Sequence, residues 1–354
     1  MTTEALPPGI DAAFLTEALH RSGLPGGGRV REVAVRKSFP TLLSHIFRLR
    51  LDHDGAAAGF PETLILKAGL AGRPGGPWKF GSHEVAFYQK VAPATPPGLL
   101  PRCYDAASEA ETGTWHLLLE DLTDSHRTAT PWPLPPDLAD GQAIMRARAR
   151  FHAAWWDHPR LGVDIGSWPD AAGMEGWLQE MREKYARFAE QAGDGLSAGR
   201  RELYARLFEA APRLGARYRS HRHMTIIHGD AHIWNCFLPK TAGQGEARLF
   251  DWDGWSLDVA TVDLAYMMAI HWYPEMRRRF EGPLLDTYHT ELLACGVRGY
   301  DRAALQEDYR LSVLWQITTP VWQHALGIPP LIWWNNLERV HMAAEDLDCR
   351  ALLG

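Results

Sequence analysis

The feature that most constrains this chain is a change of hydrophobic period part-way along it. Up to about residue 122 short runs place apolar residues between polar ones. Val30, Val33 and Val35 do so in RVREVAVRKSF (29 to 39), as do Ile46, Leu49 and Leu51 in HIFRLRL (45 to 51), and TLILKA (63 to 68), CYDAAS (103 to 108) and WHLLLEDL (115 to 122) are further strand-like runs. Such runs suit strands, which show successive side chains to opposite faces. The turn-like DHDGAAAGFP joins the second run to the third, so a β-meander is expected. Two helices are expected within this half: an amphipathic one in the first 25 residues, ended by GLPGGG, and SHEVAFYQKVA (82 to 92), with Ser82 as its cap. Beyond PWPLPPD (131 to 137) the period becomes helical, over 141 to 158, 173 to 193, 199 to 218 and three or more stretches after residue 256. Only 224 to 252 interrupts it, with short strands and turns. The chain therefore reads as α+β: a β-rich amino-terminal lobe over 1–123 and a helical lobe over 124–354 that carries a small β insert. Its 354 residues suffice for a core in each.

Composition excludes several functions. A net charge of -6 gives no broad attraction to nucleic acid or an anionic membrane, and Arg277, Arg278 and Arg279 read as a solvated helix face. The four cysteines are scattered, without disulfide or zinc spacing, which suits a reducing compartment. The first residues lack a secretory pattern and no apolar run reaches transmembrane length, so a cytoplasmic location is expected. Oligomeric state is not readable.

The β insert concentrates the chemistry. In HGDAHIWN (228 to 235), Asp230 is followed by four residues and then Asn235; sixteen residues later comes Asp251, in LFDWD. The intervening NCFLPKTAGQGEARLF reads as a hairpin that returns Asp251 towards Asn235. Oxygen ligands for Mg²⁺ beside a separate carboxylate suit phosphoryl transfer, with Asp230 as base and Asn235 and Asp251 as metal ligands. An alternative takes His228, Asp230 and His232 as ligands of a metal-dependent hydrolase, but the remaining histidines form no second such cluster. Another is a nucleotide-binding pseudokinase or regulatory module, against which the full set of Lys67, Asp230, Asn235 and Asp251 speaks.

HGDAHIWN and DWDGWSLDVATVDLAYMM resemble the aminoglycoside phosphotransferase and choline kinase superfamily, the small-molecule branch of the protein-kinase-like fold. ETLILKAG, HEVAFYQKVA and FHAAWWDH look closer to its ecdysteroid-kinase-like and uncharacterised bacterial phosphotransferase groups. The resemblance implies a two-lobed kinase using ATP (or GTP) and Mg²⁺ on a small-molecule hydroxyl. It implies that Lys67 binds phosphates, that Glu84 pairs with Lys67, and that LLLEDL is the nucleotide-binding hinge at 118 to 123, with Glu120 and Leu122. It gives His228 a part in holding the loop. Asp253 is expected to assist the metal or order its loop, and Asp258 and Asp263 to act as caps or loop locks. A glycine-rich phosphate loop is missing, since no glycine falls between Arg31 and Asp52; Ser44 or the backbone amides of Leu42 to Ser44 are expected in its place. Of the fifteen tryptophans, Trp255, Trp272 and Trp334 lie in segments that border the acceptor in this superfamily. With His232 they suggest an aromatic-lined pocket for a ring-bearing or amphipathic alcohol, such as an antibiotic or other natural product. No block of carboxylates awaits a polycation.

Overall fold

A computed structural model of the protein describes residues 5–25, 27–41, 44–54, 59–70, 81–241, 243 and 245–354. Along the chain run α1 (Ala12–Arg21), β1 (Arg29–Pro40), β2 (Ser44–Asp54), β3 (Thr63–Gly69), α2 (Ser82–Lys90), β4 (Cys103–Ser108), β5 (Trp115–Glu120) and β6 (His126–Thr128). There follow α3 (Leu138–Ala154), α4 (Ala171–Ala192), α5 (Ala198–Leu214), α6 (Ala216–Arg219), β7 (Thr225–Ile227), β8 (Cys236–Pro239), β9 (Arg248–Leu249) and β10 (Ser256–Asp258). The chain ends in α7 (Thr261–Ala265), a π-turn (Tyr266–Ile270), α8 (Pro274–Ala294), α9 (Arg302–Gln316), α10 (Thr319–Ala325) and α11 (Pro330–Asp346). The β-rich first part and helical second part agree with the α+β expectation. Two compact units form, one from 1–127 with 237–255, the other from 128–236 with 256–354.

The first unit is built on a five-stranded sheet of order β1-β2-β3-β5-β4, antiparallel throughout. Alternation in β3 sends Leu64 and Leu66 into one core with Leu15 and Leu19 of α1, so Lys67 faces the other side of the sheet. Lys67 lies in register with Ile46 of β2 and Leu117 of β5. A small sheet of order β6-β8-β9 contains the hairpin anticipated before Asp251.

The second unit is helical. Asp137, Asp170, Ser197 and Asp301 each accept a backbone N–H at the start of α3, α4, α5 and α9, which fixes where these helices begin. Gly141 of α3 lies so near Leu284 of α8 that a Cβ there would stand 3.1 Å from its Cδ2. Buried β7 pairs antiparallel with β10, Ile227 opposite Ser256, and so anchors the loop that begins at His228. Among the described residues no helix is long and apolar enough to cross a membrane.

Candidate active site

In the first unit three carboxylates surround one lysine. Lys67 Nζ donates to Glu84 Oε2 and to Asp251 Oδ1, both at 2.5 Å. Glu84, 1% exposed, also accepts from the backbone N–H of Trp252 at 3.2 Å through Oε1. Asp253 accepts from the Gly81 N–H at 2.7 Å, and its carbonyl lies 2.8 Å from His83 Nδ1. Stacking of Phe87 on Trp252 (4.1 Å) and of His83 on Trp255 (4.9 Å) holds α2 to the DWDGW segment.

Two local devices make this arrangement. Helix α2 starts at Ser82, so Gly81 caps it where Ser82 was expected, and no side chain caps it. Gly81 has φ +81°, and a Cβ there would fall 1.9 Å from a Trp115 ring atom, so only glycine fits. Asp251 itself takes φ +68°, a left-handed conformation that costs free energy and occurs at functional positions when the surroundings impose it.

Burial opposes the charge on Lys67, but Glu84, Asp251 and Asp253 outweigh it and hold the ammonium well above its ordinary range. Burial and the two aspartates raise the Glu84 carboxyl even beside Lys67, and burial raises Asp253. One ammonium for three carboxylates leaves an excess of negative charge. Ligand atoms of Glu84, Asp251 and Asp253 come within 4.8 Å of one another, and Asp251 is the open one, its side chain 43% exposed. A hard divalent cation fits this oxygen set.

Elsewhere in this unit, Ser44 is buried, with its hydroxyl 2.9 Å from that of Thr41; Leu42 and Leu43 lie outside the described residues. Glu120 accepts from the Arg102 N–H at 3.0 Å, and buried Leu122 offers its carbonyl to His126.

In the second unit the loop after β7 is fastened from behind. Asp263, at the start of the helical stretch that includes LAYMMAI, accepts from the N–H groups of His228 (2.8 Å) and Gly229 (3.1 Å) and lies 3.2 Å from His152 Nε2. Buried Arg148 donates to the Ala231 carbonyl at 2.6 Å, and His228 Nδ1 accepts from the Asp230 N–H at 3.3 Å. Asp230 then projects into a polar collar. Its Oδ1 accepts from the Tyr266 hydroxyl at 2.8 Å and its Oδ2 from Asn235 Nδ2 at 3.1 Å, with His232 Nε2 at 3.4 Å. Burial would raise this carboxyl, but the His232 hydrogen bond, the histidine charges and Tyr266 outweigh it and hold it below the usual carboxylate range. It is ionised at neutral pH. The Asn235 amide nitrogen is turned to Asp230, so its oxygen points away from that carboxylate.

The aromatic candidates fall in both units. Trp255 belongs to the first unit, with Nε1 donating to the His83 carbonyl at 3.0 Å. Trp272 is 1% exposed, and Trp334 lies over Gly195 and against Trp333. His271 opens the HWY run (271 to 273), a segment the resemblance sets beside the acceptor, whereas Tyr266, Arg148 and His152 were not anticipated. Their contacts span tens of residues on helices whose sequence reads only as amphipathic or apolar.

Residues 79–305 match the model of a family described as phosphotransferase enzymes. Choline kinase from Cryptosporidium parvum Iowa II is similar over 90% of this chain and 90% of its own, at 11% identity and a TM-score of 0.56. A mutant aminoglycoside 2'-phosphotransferase-IIIa in complex with GDP covers 96% of this chain and 98% of its own, at 10% identity and a TM-score of 0.54. A choline/ethanolamine kinase family protein from Mesorhizobium loti covers 88% and 87%, at 13% identity and a TM-score of 0.53. At such identities the likeness is one of fold. No curated protein matches the chain.

Proposed function

The chain belongs to the phosphotransferase enzyme family, and we propose that it is an ATP-dependent kinase of a small-molecule alcohol. The observation that carries this reading is the Asp230 carboxylate, kept ionised yet aimed by Tyr266, Asn235 and His232. A carboxylate so placed orients a hydroxyl and takes its proton as the oxygen attacks the γ-phosphorus; the bond to the leaving phosphate oxygen breaks as the new P–O bond forms. Lys67, held protonated, meets the nucleotide's phosphate oxygens, and Glu84 aims it. Asp251 and Asn235 are the proposed ligands of Mg²⁺, with Asp253 in support; the ion, when bound, neutralises phosphate charge. Glu120 and Leu122 are proposed to border the nucleotide base and His232 the acceptor. Kinases of choline and aminoglycosides share this fold, and one of them binds a guanine nucleotide, so GTP belongs beside ATP in any assay.

The test is a screen of hydroxylated metabolites and antibiotics for gain of one phosphoryl group in the presence of Mg-ATP, run in parallel with Asp230→Asn. Transfer by the wild type and none by the variant is expected. Unchanged transfer by Asp230→Asn overturns the assignment of the base, and tight zinc binding without nucleotide binding would favour a hydrolase.

A further inference from the structure

Three arginines are buried among the described residues, and two of them are neutralised. Arg148 stands 3.7 Å from Asp263, and Arg277 is paired with Glu281 at 2.9 Å and with Asp346. Arg339 of α11, 7% exposed, has no carboxylate within ion-pair distance among the described residues. Its Nη1 reaches Asn336 Oδ1 only at 3.5 Å and its Nε has no partner. The guanidinium lies over the Tyr273 ring at 4.0 Å, which offsets only part of the cost of an unpaired buried cation. Broken rules of this kind persist where function needs them.

The place of Arg339 says what that need is. Tyr273 follows two residues after His271, which closes the π-turn begun at Tyr266. The His271 ring lies 4.9 Å from Tyr266, 5.5 Å from His232 and 5.7 Å from Trp234. Tyr266 and His232 both contact the Asp230 carboxylate. A row of rings thus leads from the base to His271, whose imidazole lies within reach of the Arg339 charge. Polar atoms along it lack partners: His271 Nε2, His232 Nδ1 and Trp234 Nε1 are all buried without a hydrogen bond. Burial pushes His271 down to about 3, so its imidazole is neutral and adds a hydrogen bond without adding charge.

We infer that Arg339 recognises an anionic group on the acceptor, and that the alcohol phosphorylated at Asp230 is a hydroxy acid whose carboxylate pairs with Arg339 and accepts from His271 Nε2. The inference rests on the kinase reading for its reaction, but not for its binding. A single planar guanidinium matches a monoanionic carboxylate in charge and in its two oxygens. A phosphate dianion would keep an uncompensated charge in the same buried place. A cationic alcohol would be repelled.

The test compares matched probes on the full-length protein loaded with Mg²⁺ and a non-hydrolysable ATP analogue. Binding of mandelate is set against 1-phenylethane-1,2-diol, and of glycerate against glycerol and glycerol 3-phosphate. Each acid is expected to bind at least about tenfold more tightly than its neutral partner, a margin that Arg339→Met abolishes and Arg339→Lys keeps in part. Arg339→Met should fold with an undiminished melting temperature, since it removes a buried charge that has no counter-ion. Should it not fold, a weakened acid preference in Arg339→Lys, with neutral binding unchanged, carries the same conclusion. Equal binding of acid and neutral partner overturns the inference, as does an acid preference that survives loss of Arg339. Tighter binding of glycerol 3-phosphate than of glycerate overturns the carboxylate. Acid preference without any nucleotide binding would sustain the subsite and sink the kinase reading, so the two fail separately.

Discussion

Asp230→Asn keeps the size and most contacts of the carboxylate and removes its capacity to take a proton. We expect kcat for phosphoryl transfer to fall by about 10²–10⁴-fold, the usual share of a general base, with nucleotide affinity nearly unchanged; single-turnover transfer and equilibrium nucleotide binding separate the two. Lys67→Met should act in the opposite sense and weaken nucleotide binding, measured by titration with a fluorescent ATP analogue. Asp230 stands out in the sequence because it lies within a short polar cluster, costly to bury, that implies mutual partners, whereas Lys67 is marked only by the resemblance of its strand to a phosphate-binding one. Tyr266 and Arg339 carry no such mark, and His271 is marked only as part of the HWY run (271 to 273). Tyr266 and His271 flank an apolar helical stretch, and Arg339 lies 109 residues beyond Asp230 in an ordinary amphipathic helix. Only packing shows what they face.

At the scale of elements, strands were the readable part, because period 2 is visible over short runs and the antiparallel sheet follows from it. Details of α2 were less so, since the space left by the Trp115 ring decides what can precede Ser82. Gly81→Ala combines a positive φ with that clash and should destabilise the protein by roughly 1–3 kcal/mol, as overpacking does; denaturant unfolding measures it. The loop after β7 depends on Asp263 in a different way. His152, Arg148 and His228 hold this buried carboxyl, against burial, below its ordinary 3.8. A depressed folded value stabilises the protein above the unfolded value, and that contribution disappears as pH falls through the folded one. Wild type should therefore lose stability in acid below about pH 4, whereas Asp263→Ala should be less stable by about 3–5 kcal/mol near neutrality and show a shallower acid limb. Equal slopes for the two proteins would exclude this role.

For the whole molecule, ligand binding and stability are linked. Mg²⁺ with ATP at a hundredfold excess over its dissociation constant should stabilise the fold by about 2.7 kcal/mol, seen as a rise in melting temperature that Lys67→Met reduces. The crossing pattern of the chain has a consequence for anyone who would take the protein apart. The chain leaves one unit for the other after Arg127, after Cys236 and after Trp255. A fragment ending at Arg127 would retain Lys67 and Glu84 but lack Asp251 and Asp253, and the complementary fragment would carry a sheet segment foreign to its own core. No single cut yields two autonomous modules. Domain shuffling, split-reporter fusions and expression of the first 127 residues as a free nucleotide-binding piece are all predicted to fail, and a protease that nicks the chain at Arg127 should leave two pieces that elute together.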